Sequence, residues 1–137
     1  MKKTNLLALC VLLLAISLAG CVNGGEKDRQ VAFINAVKAG VLAMDEQSHA
    51  DYSDSAELRE SLLKGVQAET DAIKNVDMEA FDDEDFKMLA SEYADAVEEE
   101  AKGLESFPGD AEAYNSSYVV GRAKIASIVP SLWINMA

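Results

Sequence analysis

The chain is expected to fold as an all-α protein, an antiparallel up-down-up-down four-helix bundle. Three observations lead there. Apolar residues recur at steps of three and four in four successive segments, no segment alternates in the manner of a strand, and the breaks between segments are short. Short links make consecutive helices antiparallel neighbours. The two halves share no residue pattern, so a closed bundle is expected in preference to a helical-hairpin solenoid.

The first segment, from about Asp28, places Val31, Ile34, Val37, Val41 and Met44 on one stripe. The second uses Leu58, Leu62, Val66, Ile73 and Val76, and Asp54 with Glu57 three residues on can cap its start reciprocally. The third carries Phe86, Leu89, Tyr93, Val97, Ala101 and Leu104. Asp82 is the expected cap there, with Asp83, Glu84 and Asp85 against the positive end of the helix dipole and Phe81 and Phe86 flanking the cap as a staple. Pro108-Gly109-Asp110 separates the third segment from the fourth, which carries Tyr114, Tyr118, Ile125, Val129 and Leu132. Pro130 is expected to kink or end that last helix. The links fall at 49–53, 77–81 and 106–109.

The start of the chain follows a different rule. Lys2 and Lys3 precede an almost wholly apolar run over 6–18, and no acidic residue occurs before Glu26. The run is shorter than the roughly 20 residues a membrane-spanning helix needs, and it reads as an export signal. It closes on Leu18-Ala19-Gly20-Cys21, which resembles the lipobox of prokaryotic membrane lipoproteins at all four positions. The resemblance implies cleavage before Cys21 and acyl chains on that residue. It therefore implies a membrane-anchored protein on the extracytoplasmic side, at the cell membrane or the outer membrane. It covers only the first 21 residues. The expected organisation is a signal peptide over 1–20, a lipidated Cys21 with a flexible tether over 21–27, and a helical domain over 28–137.

Loss of residues 1–20 removes two of the 12 Lys and Arg and none of the 24 Asp and Glu, leaving 117 residues with a net charge of −14. That length suits one domain with a modest core. The acidity argues against nucleic acid, whose phosphates demand clustered Lys or Arg, and against flat adhesion of the protein surface to anionic lipid; it reads as a solvated exterior. Cys10 leaves with the signal and Cys21 carries the lipid, so no thiol remains for a disulfide, a zinc site or nucleophilic catalysis.

Few residues are candidates for chemistry. Glu46-Gln47-Ser48-His49 has the Glu-x-x-His spacing of di-iron bundles, but such sites need two pairs and the chain has one His. Asp82-Asp83-Glu84-Asp85 lacks the alternation and the glycine of a calcium loop. Glu98-Glu99-Glu100 reads as a solvated face. Glu69 interrupts the second stripe and is expected at its edge; with Tyr93 and Tyr118 it is the candidate set for lining a ligand. Trp133 and Ile134 lie in an apolar tail, Ile128 to Met136, that reads as a cap over the open end of the bundle or as a patch for a partner or the bilayer. Asn115-Ser116-Ser117 fits the glycosylation pattern. No catalytic, metal or cofactor set is expected. The expected function is a non-enzymatic interaction or scaffold subunit at the cell envelope, the alternative being a small-molecule or metal-binding interior.

Overall fold

Glu26 and Asp28 stand in the first turn after Gly25, where acidic side chains face the positive end of the helix dipole, and the first helix begins there. The computed structural model describes residues 25–134; Cys21, the lipobox and residues 135–137 lie outside them. The elements are α1 (Glu26–Ser48), α2 (Ser55–Ile73), a 3-10 turn (Met78–Ala80), α3 (Glu84–Glu105), α4 (Ala111–Tyr114), a π-helical turn (Asn115–Val119) and α5 (Val120–Ile134). The last three are consecutive, so the chain forms four principal helical stretches, and the described residues contain no strand.

The caps show how local chemistry sets the boundaries. Asp54 accepts from the N–H groups of Ala56 and Glu57 at 2.9 and 3.0 Å. Glu57 does not close the box on Asp54; its carboxylate accepts from the backbone and hydroxyl of Ser53 at 2.8 Å. The cap of α3 is Asp83 rather than Asp82, because Asp83 accepts from Asp85 and Phe86 while Asp82 binds Arg29. The staple survives the shift, with the Phe81 and Phe86 rings 4.9 Å apart.

One helix end differs from expectation, and of the two outcomes expected at Pro130 one does not occur. Val76 is not part of α2, which ends at Ile73; the Val76 N–H turns back to the Ile73 carbonyl at 2.9 Å. Pro130 does not end the last helix, which continues to Ile134. Proline removes the bond to the carbonyl of residue 126, and Ala126 is exposed, so water can replace it.

One core runs through the domain. Phe33, Ile34, Val37 and Met44 of α1 and Leu62, Val66 and Ile73 of α2 meet Phe86, Tyr93, Val97 and Leu104 of α3. Ile125, Ile128, Val129 and Leu132 of α5 complete it. Phe33 is edge-on to Phe81, Phe86 and Tyr93 with centroids 5.8–6.2 Å apart, the favoured aromatic arrangement. Val41, Leu58, Leu89 and Ala101, placed on stripes by periodicity, are only partly buried.

Candidate functional site

The most unusual chemistry lies inside the core. Glu69 of α2 and Glu100 of α3 are both fully buried, which a carboxylate tolerates only when paired or protonated. The pairing comes from α5. Arg122 donates from one terminal nitrogen to both oxygens of Glu69, at 2.9 and 3.1 Å, and reaches Glu100 Oε2 at 3.5 Å. Its Nε lies 3.1 Å from Glu100 Oε1, an ion-pair contact off the hydrogen-bonding direction, so that oxygen has no donor.

Two glycines make room for these side chains. A Cβ on Gly40 would sit 2.9 Å from the Glu69 Cα, and one on Gly121 would sit 2.7 Å from the Glu100 Cγ and 2.9 Å from the Ala96 carbonyl oxygen. Helices α1 and α5 therefore press directly onto the backbones that carry the two acids.

One guanidinium faces two carboxyl groups, so the cluster is neutral only if it holds a proton. Burial raises Glu100 to about 9, Glu69's charge adds to the rise, Arg122 opposes it, and a hydrogen bond with Glu69 raises it further. Burial raises Glu69 as well, and although Arg122 and the bond from Glu100 oppose it, Glu69 stays above its ordinary value. The two acids therefore share one proton, held more strongly by Glu100, while Arg122 lies closer to Glu69. Burial and the adjacent acids push the Tyr93 hydroxyl far above its ordinary range, and burial does the same to Tyr118. The Tyr93 hydroxyl is buried without a hydrogen-bond partner.

Glu69, Tyr93 and Tyr118 thus lie in one electrostatic neighbourhood within the packed core. Two expectations fail: Glu69 is at the centre of the packing and not at an edge, and the triplet Glu98-Glu99-Glu100 is not uniformly solvated. Glu98 pairs with Lys102 and Glu99 with Lys124 outside, while Glu100 turns inward. Sequence reasoning missed Glu100 and Arg122. The available signals were the seven-residue step from Tyr93 to Glu100, two turns along one face, and a lone Arg in an apolar helix with no acid beside it.

The remaining candidates lie apart. Tyr114 and Tyr118 stack with centroids 5.0 Å apart. A cleft of about 320 Å³ is lined by Thr70, Ile73, Lys74, Met78, Ala94, Val97, Glu98 and Ala101, which include none of Glu69, Tyr93 and Tyr118. His49 is exposed and contacts Asp45 on its own helix. No group of three His, Cys, Asp or Glu among the described residues is arranged to hold a metal ion. Trp133 and Ile134 are exposed by 43% and 74%, whereas Ile128, Val129 and Leu132 of the same tail are buried. Among the described residues no helix is long and apolar enough to cross a membrane. The chain matches no protein-family model, no curated protein and no solved structure.

Proposed function

We propose that this is a lipid-anchored, extracytoplasmic helical lipoprotein that serves the cell envelope as a non-enzymatic interaction or scaffold module. The observation that carries the reading is the order Leu18-Ala19-Gly20-Cys21 at the end of an apolar run, only a few residues before α1 begins at Glu26. The helices run up-down-up-down in this reading. Contacts at both ends support it: Glu26 accepts from the N–H groups of Asp82 and Asp83, joining the starts of α1 and α3. Ser61 bonds to Gln47, and Arg59 to the Leu104 carbonyl, joining the start of α2 to the ends of α1 and α3.

The buried cluster fits a structural role better than catalysis. Its ionised acid is already held by Arg122, and the tyrosine hydroxyls stay protonated at neutral pH. A buried ion pair seldom adds net stability over apolar packing, but it can fix which helices meet and in what register. Interaction is therefore assigned to the surfaces of the helices.

Replacing Cys21 by Ser tests the anchor. The expected result is loss of acylation by intact-mass analysis, with precursor accumulating or protein released from membranes. Acylation that survives the substitution would refute it.

A second reading, a ligand-binding interior, is favoured by the unpartnered Tyr93 hydroxyl beside Glu100. A ligand held by that hydroxyl should bind more weakly to Tyr93→Phe than to the unaltered chain, and equal binding would refute this reading.

A further inference from the structure

We propose that the outward face of α1 and α5 rests on the lipid bilayer, with Trp133 in the headgroup region. This rests on the reading of Cys21 as the anchor and gives that anchor an orientation.

The residues of α5 that point away from its buried stripe are Val119, just before the helix, then Ala123, Ala126, Pro130 and Trp133. The steps of four and three place them on a single line, and every one of them is exposed. No charge interrupts that line. Ile134 extends it at 74% exposure and Val120 flanks it at 39%. In α1 the sole charged residue from Val31 to Met44 is Lys38, and its ammonium lies 5.9 Å from the centroid of the Trp133 ring. One turn beyond Lys38, Leu42 is 65% exposed. The two helices come together where Lys38 meets Trp133, and Leu42, Trp133 and Ile134 expose apolar surface around that contact. Tryptophan favours the bilayer interface, and lysine reaches from apolar surface to water or phosphate.

Charge identifies the occupant. The full chain carries −12, yet no acidic residue follows Glu112 and none lies between Val31 and Met44. Between these limits the face carries no acid; Asp45 and Glu46 close it one turn beyond Leu42, and Lys38 and Lys124, the latter paired with Glu99, stand on its borders. A surface meant only for water has no need of that clearance, and an anionic or zwitterionic lipid surface does. Reach supplies the second argument. From Cys21 to Gly25 the chain spans at most about 14 Å when fully extended. α1 starts at the next residue, so an acylated Cys21 keeps the start of this helix within that distance of the membrane. The acidic outer surfaces of α2 and α3 are then turned away from the lipid and left for a protein partner.

Trp133 is the only tryptophan in the chain, so the test needs no added probe. Full-length processed protein is reconstituted in phosphatidylcholine–phosphatidylglycerol vesicles, and its emission is measured with brominated lipids and with acrylamide. The expected result is loss of roughly half the emission to brominated lipid, a blue shift relative to detergent-free buffer, and reduced quenching by acrylamide. Leu42→Glu and Ala126→Glu, both at exposed positions, should abolish the lipid quenching while leaving the helical circular dichroism unchanged. Quenching that persists in both variants would overturn the proposal. So would a Trp133 open to acrylamide, or one shielded from acrylamide yet untouched by brominated lipid, which would indicate a second copy on the face. Intact mass separates the two readings. An unmodified Cys21 sinks the anchor and the seating together, while an acylated Cys21 with an aqueous Trp133 sinks the seating alone.

Discussion

Glu100 carries the heaviest consequence of any single residue. Its carboxyl moves from an ordinary value near 4.5 to about 9 on folding, chiefly through burial. A group whose folded value is raised stabilises the protein fully below its unfolded value and loses that contribution as pH rises through the folded one. Stability is therefore expected to decline from about pH 5 toward pH 9 on this account. Glu100→Gln keeps the shape and the neutral charge of the protonated acid, so its melting temperature should vary less over that window. A pH series of thermal melts on the two proteins checks this; parallel curves would show that Glu100 carries no proton. Removing Arg122 is the severe change, since it leaves the buried carboxylate charge without its partner. Arg122→Met should cost about 3–5 kcal/mol, read by urea unfolding.

Among the elements, the contact of α3 with α5 depends on close approach. Gly121 lies where a methyl group would meet the Ala96 carbonyl oxygen and the Glu100 side chain at under 3 Å. Gly121→Ala improves helix propensity by up to about 1 kcal/mol, but the backbone contact has to open to admit it. Overpacking of this kind costs about 1–3 kcal/mol, so the net effect is expected to be destabilising; a higher melting temperature in the variant would contradict so close a contact. The π-helical turn Asn115–Val119 belongs to the same contact, since a single-turn widening of a helix rotates the facing of every residue beyond it. Tyr118 lies in that turn and Arg122 one turn after it, so the widening helps aim both toward the acids.

For the domain as one body, charge sets the balance. A chain of −12 repels itself in the compact state. Screening shortens that repulsion to about 8 Å at 0.15 M salt. The domain should melt a few degrees higher at about 0.15 M than at about 0.01 M salt, whereas a fall on adding salt would mean that the surface pairs Lys64–Glu60, Lys102–Glu98 and Lys124–Glu99 outweigh the net charge. Exposed pairs of this type contribute little individually.

The legible part of this protein is the part governed by neighbours along the chain. Spacing of apolar residues reveals four helical stretches, and Asp54, Phe81 and Phe86 mark their starts, because these effects act within one turn. Local pattern puts the cap of α3 one residue early, since Asp82 and Asp83 are chemically identical and only Arg29, distant in sequence, takes Asp82. Glu69, Tyr93 and Tyr118 can be named as a set, yet periodicity places Glu69 at an edge and Glu100 in water. What reverses both is Arg122, more than twenty residues from either acid, entering the core beside them. A polar residue on a helix is buried or solvated according to what faces it across the packing, and no local period records that. Periodicity and capping settle which stretches coil; only their mutual contact settles which charges lose their water, and with it where the proton resides.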